Sequence, residues 1–508
     1  METMRAEQPL FTSVDWDQDG LKRAYDAIEA VAVGELGLSV YPNQLQIITA
    51  EQMIDAYASI GVPKMYPHWS FGRAFAHHEA LYRKGMQGLA YEIVINTDPC
   101  IAYLMEENTM TMQTLVIAHA AFGHNTFFKT NELFRQWTDA SSIIEYLEFA
   151  KNYIARCEHK HGRPAVERVI DAAHALQSHG VDQVKRARTL SLKEEKKRQR
   201  ERIAEAERTY NDLWRTVPRA KKVDNPSEDD EYKGVVLPEE NLLYFLERYG
   251  PKLKPWEREI LRIVRLIAQY FYPQGQVKVM NEGCATFTHY TVLNRLYDKG
   301  LLTAGAMKEF IISHTNVVFQ PTFADERYRG INPYALGFDM MRDIERIALK
   351  PTDEDREWFP NFAGSMDSMG VLKDAWRDYR DESFILQFLS PNLIRKWGMF
   401  KLLNEEDEPK ILVSEIHDER GYREIRRSLA RQYERSSQTP NIQVVSVDFR
   451  GDRTLTLQHD VKDNRLLQEE STSDVLDHLA SLWGYEVVLH EVDGNGNVRE
   501  SHAAGGPK

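Results

Sequence analysis

Residues 116–125, VIAHAAFGHN, place two histidines five positions apart around a glycine at the end of an apolar run. On a regular α-helix, residues five apart point about 140° away from each other, so His119 and His124 cannot share a ligand without a break. Gly123 could supply that break, because glycine just past a helix end readily takes a left-handed turn. The pair is therefore either part of a metal site or two structural residues, one in the core and one complementing the helix dipole.

The segment before this motif predicts a strand followed by a long helix. Residues 88–99, GLAYEIVINTDP, are strand-like, and Asp98 and Pro99 at their end have the chemistry of a helix start, an N-cap followed by proline. A helix from this point would run to Gly123 and carry both histidines at its end. Most of residues 20–185 is predicted to be helical, from apolar residues at spacings of three and four.

A second motif lies in residues 279–290, VMNEGCATFTHY. Glu282 and His289 are seven apart, so they occupy the same face of a helix, two turns and about 10 Å from each other. Ligands of one zinc ion lie within about 4 Å of one another, so the two side chains are predicted to line one cleft without binding the same ion. The alternative is a structural hydrogen bond or ion pair, since a carboxylate on an apolar helix face needs a partner.

Together the two motifs resemble the zinc arrangement of gluzincin-type metallopeptidases, in which two histidines of one helix and a glutamate of a later Glu-Gly-x-Ala helix hold the metal. The resemblance implies His119, His124 and Glu282 as ligands of a divalent metal, with zinc as the expected ion. The pattern departs from the zincins in the spacing of the histidines, which are five apart instead of four, and in the residue after the first histidine. Zincins carry a glutamate directly after the first histidine as general base, and here that residue is Ala120.

A hydrolytic reaction would then need its general base from another part of the chain. The carboxylates near enough in sequence to consider are Glu92, Glu106 and Glu107, and spacing alone does not choose between them. His289, on the same helix face as the glutamate ligand, is predicted to orient a substrate or to carry a proton.

Changes in composition divide the chain into four regions. Residues 1–185 form a helical N-terminal region, 186–237 a charged helix and linker, 238–400 a second helical region and 401–508 a C-terminal αβ domain. The last region has the element order of a ferredoxin-like sandwich, and its tail at 494–508 is predicted to be loose. The expected fold class is α+β, mainly α-helical with a zincin-like helical core and a C-terminal ferredoxin-like αβ domain.

Composition limits the classes of function. The chain of 508 residues has a formal net charge of −13, with 77 acidic against 64 basic residues, so it offers nucleic acid no global attraction. Its three cysteines lack CxxC spacing, which argues against a disulfide framework and fits a reducing compartment. No signal peptide and no apolar run of membrane-spanning length is visible. A cytoplasmic protein without membrane insertion is therefore predicted.

Several long strings of the sequence resemble the stage V sporulation protein R (SpoVR) family, in the long form that non-sporulating bacteria also carry. They include YPHWSFG at 66–72, AHAAFGHNTFFKTN at 118–131, MNEGCATFTHY at 280–290, SHTNVVFQP at 313–321 and GINPYALGFDM at 330–340. The resemblance implies a cytosolic bacterial protein linked to the spore cortex in spore formers and to stationary-phase stress adaptation elsewhere. It also implies a shared pathway with a PrkA-type serine kinase and a von Willebrand A-like protein.

Two functions follow from these observations. The first is a metal-dependent peptidase or amidase that uses the two histidines and the glutamate. The second is a non-catalytic regulator that assembles with the kinase through the charged helix at 185–215 and the C-terminal domain. Ala120 favours the second function, because a zincin-like site without its base is what a retired enzyme would retain.

Overall fold

The computed structural model describes residues 8–58, 65–83, 92–182, 197, 200, 237–400, 402–403, 412–413, 418–434, 439–462 and 464–505. The chain forms two compact units, and each unit is assembled from stretches that are distant in sequence. The predicted charged helix and linker at 186–237 fall, apart from a few residues, outside the described part of the chain. The first unit comprises Met1–Pro63, Pro67–Gln136 and Pro273–Gln438, and the second comprises Lys64–Tyr66, Trp137–Tyr272 and Thr439–Lys508.

Helices make up most of the described chain, which confirms the predicted α+β class with a helical majority. No helix of the described residues is long and apolar enough to cross a membrane. In chain order the α-helices are α1 Gln18–Glu29, α2 Ala50–Ala58, α3 Trp69–Arg83, α4 Met110–Val116, α5 Asn125–Thr130, α6 Glu132–Trp137, α7 Ile143–His161, α8 Arg163–Ala175, α9 Leu242–Tyr249, α10 Pro255–Phe271, α11 Lys278–Asp298, α12 Ala304–Val317, α13 Pro333–Leu349, α14 Asp353–Trp358, α15 Ser368–Asp378, α16 Asp381–Phe388, α17 Pro391–Lys396, α18 Glu419–Tyr433 and α19 Glu469–Trp483.

A three-stranded sheet lies beside the helices of the first unit. Its strands β1 (Asn43–Ile48), β2 (Glu92–Ile95) and β3 (Cys100–Met105) are in the order β1-β3-β2, with β1 parallel and β2 antiparallel to β3. The predicted strand is confirmed by β2, but the predicted helix start at Asp98–Pro99 is wrong. This pair forms the turn between β2 and β3, and the buried apolar residues that follow it form the central strand of the sheet.

The helix that carries both histidines begins eleven residues later than predicted, with Thr109 instead of Asp98 as its N-cap. Thr109 is its N-cap, and the Thr109 side chain accepts a hydrogen bond from the backbone N–H of Met112. From there α4 continues into a π-helical segment, Ile117–His124, which we call the π segment, and then into α5.

Helix α11 crosses the π segment and α13 at nearly the closest distance that two helices allow. A Cβ atom on Gly123 would lie 2.5 Å from Cα of Ala285 in α11. On the other side of α11, a Cβ atom on Gly337 would lie 2.1 Å from the carbonyl oxygen of Val279. Residues with side chains cannot fill these positions without moving backbone, so glycine brings the three helices together.

The start of α11 is stabilised by a buried carboxylate from another helix. Asp381, 1% exposed, accepts hydrogen bonds of 2.9 Å from the backbone N–H groups of Val279 and Met280. The first N–H groups of a helix have no partner within the helix, so this carboxylate acts as a cap for a helix whose own N-cap, Val277, offers no side-chain acceptor. It therefore holds the end of the helix that bears Glu282.

The second unit contains helices α7 to α10 and a four-stranded sheet covered by α19. The strands β6 (Ile442–Val447), β7 (Leu455–Asp460), β8 (Val487–Val492) and β9 (Val498–Ala504) lie in sequence order. Strands β7 and β8 are parallel and joined through α19, while both outer pairs are antiparallel. Fully buried Glu491 of β8 accepts hydrogen bonds from His459, His502 and the N–H of Leu467 at 2.9–3.0 Å.

The predicted ferredoxin-like topology is not what this sheet has. The predicted first strand pairs instead as β5 (Leu412–Val413) with β4 (Leu402–Leu403), and the predicted first helix, α18, belongs to the first unit. The tail predicted to be loose forms the edge strand β9. Its residues, VRESHAA, lack apolar alternation, because both faces of this strand are largely exposed.

Candidate metal centre

His119 and His124 come together because the helix between them is π-helical. The backbone hydrogen bonds of a π-helix join residues five apart, so side chains at that spacing lie on the same side of the helix. The two imidazole ring centroids are 4.7 Å apart. The predicted left-handed break at Gly123 is wrong, since the helix runs through it and its φ is not positive.

Four potential ligand atoms converge on one side of the π segment. Nε2 of His119 lies 3.6 Å from Oε1 of Glu92 and 3.9 Å from Oε2 of Glu282. Nε2 of His124 lies 3.5 Å from the same oxygen of Glu282. Ligands about 2.0–2.2 Å from a tetrahedral ion are about 3.3–3.6 Å from one another. The separations of 3.5 and 3.6 Å match a shared cation, and the separation of 3.9 Å would need a shift of about 0.3 Å.

Two of these four atoms have no hydrogen-bond partner among the described residues. Nε2 of His119 and Oε2 of Glu282 are buried, and neither has a hydrogen-bond partner among the described residues. Burial, together with the negative charge of Glu282, raises the pKa of Glu92 to about 8. Burial likewise raises the pKa of Glu282. A divalent cation would satisfy both unpartnered atoms and both carboxylates, so the residues fit the metal that the sequence implies.

Hydrogen bonds to the Nδ1 atoms of His119 and His124 orient both rings so that their Nε2 atoms face Glu282. Nδ1 of His124 is 2.9 Å from Oδ1 of Asn281, and Nδ1 of His119 is 2.8 Å from Nδ1 of His289. Metal-binding histidines characteristically use their second nitrogen in this way. Glu282 in turn accepts a hydrogen bond from the side chain of Tyr334.

Behind His119 the hydrogen bonds continue through two more buried histidines. Nε2 of His289 is 2.9 Å from Nδ1 of His314. Burial lowers the pKa of His119 and of His289 far below the usual range and lowers that of His314 to about 4, so all three rings are neutral near pH 7. Both ring nitrogens of His289 are hydrogen-bonded to histidines, and its role in orienting a substrate or carrying a proton stays a prediction.

The structure brings one of the three candidate base carboxylates to the site. Glu92, at the start of β2, points to His119, whereas Glu106 and Glu107 are exposed in the turn after β3. Ala120 is fully buried, so a glutamate at this position would place a charge in the core. If a base exists at this centre, Glu92 is the carboxylate positioned for it.

A cavity of about 400 Å³ opens beside the candidate ligands. Its wall combines apolar Met112, Leu115 and Val317 with Glu92 and His314. This volume lies within the range of small-ligand sites, about 300–1,000 Å³. Three residues that complete the centre have no role predicted from the sequence, although all three lie in the strings that carry the family resemblance: Asn281, His314 and Tyr334.

Comparisons with known proteins identify a family and a relative that match nearly the whole chain. The model of the family described as SpoVR like protein matches residues 15–438, and the model of the SpoVR-like C-terminal domain matches residues 440–494. A relative from Escherichia coli (strain K12), named "Uncharacterized protein YcgB", is 52% identical over 484 residues, which are 95% of this chain and 94% of the relative. No solved structure matches the chain.

Proposed function

The chain belongs to the SpoVR-like family, as predicted, and from that premise we propose that it is a metal-dependent hydrolase of amide or peptide bonds. One observation carries the proposal: Nε2 of His119 and Nε2 of His124 both lie within 3.9 Å of one buried oxygen of Glu282. This convergence supports the three atoms as ligands of one ion, and a cavity of ligand size adjoins His119.

His119, His124 and Glu282 would hold a divalent cation, and two imidazoles with one carboxylate favour zinc. When bound, such an ion supplies positive charge that polarises a substrate carbonyl and makes water easier to deprotonate. Three protein ligands leave a fourth position open, which is the arrangement of catalytic rather than structural zinc sites.

Glu92 is the general base in this proposal. Its carboxylate lies 3.6 Å from Nε2 of His119 and lines the cavity, so it can reach a water molecule beside the ion. It would take a proton from that water and pass it to the leaving nitrogen of the amide. Burial raises the pKa of this carboxyl in the metal-free protein, and a bound cation would lower it again, so that the carboxylate form is present to accept a proton.

Two further residues would position this machinery. The Tyr334 side chain, hydrogen-bonded to Glu282, fixes the orientation of the carboxylate. His289, hydrogen-bonded to Nδ1 of His119, fixes the imidazole so that its Nε2 faces the ion. Neither residue needs to touch the reacting atoms for its replacement to weaken the site.

A second candidate function uses Glu92 as a metal ligand instead of a general base. Glu92, His119 and His124 each offer a ligand atom within 4.8 Å of the others, so with Glu282 they could form a closed, four-ligand structural site. The protein would then be an adaptor, with the PrkA-type serine kinase and the von Willebrand A-like protein as its proposed partners. For either function we propose a role in cell-wall formation or stationary-phase stress adaptation, the processes implied by the family resemblance.

The metal content of the purified full chain tests the site. We expect elemental mass spectrometry to find about one zinc, iron or manganese ion per chain, and to find it lost in His119→Ala, His124→Ala and Glu282→Ala. Glu106→Gln is the matched control, because this exposed carboxylate lies outside the centre. Full metal content in all three ligand variants would disprove the site.

Glu92→Gln separates the two functions. If Glu92 is the base, the variant keeps its metal and loses cleavage of a mixed peptide library by at least about 100-fold. If Glu92 is a fourth ligand, the variant loses metal affinity instead, and the wild-type chain cleaves none of the peptides. Glu107→Gln is the control in both assays, since it removes a nearby but exposed carboxylate.

A further inference from the structure

We infer that His314 is a specificity-determining residue whose hydrogen-bonding character at the cavity wall is set by metal binding at His119, through His289. The inference rests on the proposed metal site and adds a consequence that the site alone does not have. It predicts which nitrogen of His314 carries the proton in each state, and therefore which chemical groups the cavity accepts.

The three rings form a continuous chain. Nδ1 of His119 is 2.8 Å from Nδ1 of His289, and Nε2 of His289 is 2.9 Å from Nδ1 of His314. All three residues are at least 95% buried, with exposures of 3%, 1% and 5% in that order. The rings of Phe310 and Phe338 pack edge-on or tilted against His314 and limit its rotation. No water needs to intervene at these distances.

The two hydrogen bonds between the three imidazole rings must run in the same direction. A neutral imidazole has one N–H donor and one acceptor nitrogen, and each of the two links needs one donor and one acceptor. His289 takes part in both links, so it must donate in one and accept in the other. The protons in the two links therefore point the same way, either both toward His119 or both toward His314.

In the first arrangement His314 donates from Nδ1, His289 donates from its own Nδ1, and His119 carries its proton on Nε2. That proton points to the carboxylates of Glu92 and Glu282, 3.6 and 3.9 Å away, which is favourable without a metal. Nε2 of His314 is then a bare acceptor.

In the second arrangement His119 offers the lone pair of Nε2 to a cation and carries its proton on Nδ1. His289 must then donate from Nε2, and His314 must carry its proton on Nε2. One proton leaves Nε2 of His119, one arrives at Nε2 of His314, and each shared proton moves across its link. The three rings carry three protons in both arrangements, so their total charge is unchanged.

The outer end of the chain faces the cavity. His314 lines its wall, and Nε2 of His314 has no hydrogen-bond partner among the described residues. Most of the exposed wall is apolar, with Met112, Leu115 and Val317, although Ser313, Asn332 and Tyr334 also line it. With metal bound, the cavity presents an N–H donor in an apolar setting and selects a ligand with an apolar body and a carbonyl or carboxylate oxygen. Without metal it presents an acceptor and disfavours that oxygen.

Nitrogen NMR of the full chain tests this inference with zinc alone as the probe. Histidine labelled with ¹⁵N reports, through two-bond correlations to the ring protons, which nitrogen is protonated, and His314→Gln identifies the signals of His314. We expect the proton of His314 to lie on Nδ1 in the chelator-treated protein and on Nε2 after one equivalent of zinc. Elemental analysis of the same samples measures zinc binding independently.

Two variants show whether the signal passes through the rings. His289→Phe keeps a planar ring, removes both links and weakens the zinc site. At zinc concentrations that fill the variant, confirmed by elemental analysis, His314 should no longer respond. Glu282→Gln keeps the links but weakens the site, so His314 should retain its metal-free proton position at zinc levels that convert the wild type. Zinc bound without any change at His314, or an unchanged response in His289→Phe, overturns the inference and leaves the hydrolase proposal intact. Absence of zinc binding overturns both.

Discussion

Replacing Gly123 by alanine should separate the helix that carries both histidines from the helix that carries Glu282. The added methyl group would lie 2.5 Å from Cα of Ala285, whereas ordinary contacts begin at 3.4 Å. The two helices must therefore move apart by about 0.9 Å, the difference between these distances. Because the obstructing atom is backbone, no side-chain rotation can relieve the contact.

The displacement should cost both stability and metal affinity. Overpacking of a well-packed core typically costs about 1–3 kcal/mol. If the helices moved rigidly, the 3.5 Å between His124 Nε2 and Glu282 Oε2 would widen toward about 4.4 Å. That exceeds the roughly 4 Å that two ligands of one zinc ion can span, so we expect at least about tenfold weaker zinc binding.

Thermal unfolding of the chelator-treated protein and zinc titration against a chromophoric chelator measure the two effects. Gly34→Ala is the matched control, because Gly34 lies in a helix with no atom within 4 Å of the added methyl group. That variant should be neutral or more stable by about 0.4–1 kcal/mol. Wild-type stability together with wild-type zinc affinity in Gly123→Ala would refute the argument from close helix contact.

Three further predictions concern the groups that support the two units. Asp381→Ala leaves two buried N–H groups at the start of α11 unpaired and should cost about 1–3 kcal/mol in thermal unfolding, whereas exposed Asp374→Ala should change stability by less than about 0.5 kcal/mol. In the metal-free protein the pKa of folded Glu92 is about 8, against an ordinary value of 4.5. The folded chain therefore binds this proton more tightly than the unfolded chain does. The free energy of unfolding should fall by on the order of 3–5 kcal/mol as the pH rises from 4.5 to about 8. Glu92→Gln should remove that fall in denaturation curves recorded from pH 4.5 to 8.5, and an equal fall in the variant would assign it to other groups. Glu491→Ala takes the shared acceptor from two histidines and one N–H, and should lower the stability of the second unit by about 3 kcal/mol, measured by hydrogen exchange of the β7 and β8 amides.

Local sequence patterns predicted helices and strands correctly where a pattern is typical of only one kind of structure. The strand-like composition before residue 99 found β2, and apolar spacing found the helical majority. The Asp98–Pro99 pair had two meanings, because the same residues begin helices and make turns. The pair makes a turn because the residues after it, Cys100–Met105, form the central strand of the sheet. That strand pairs with two strands from other parts of the chain, and local sequence does not show this pairing.

The candidate site was predictable in part for the same reason. The seven-residue spacing of Glu282 and His289 predicts that they do not bind the same ion. In the structure Glu282 faces Nε2 of His119, and Nδ1 of His289 lies 2.8 Å from Nδ1 of His119. Spacing could not select Glu92 over two other glutamates, because a hairpin and a helix crossing bring it to His119. Nor could it find His314, which reaches the site through a third helix.

The π segment explains both departures of this sequence from the zincin pattern. In an α-helix, histidines four apart share a face, and a π-helix moves that relation to residues five apart, so one extra residue keeps the two imidazoles together. The extra residue also turns the positions between them. Ala120 then lies fully in the core, where a glutamate would be costly and could not reach the ion. In the proposed hydrolase the base would come from outside the helix, and Glu92, at the start of the edge strand β2, lies 3.6 Å from Nε2 of His119. The five-residue spacing, the alanine after the first histidine and the strand carboxylate are thus all compatible with one feature, the π-helical backbone of Ile117–His124.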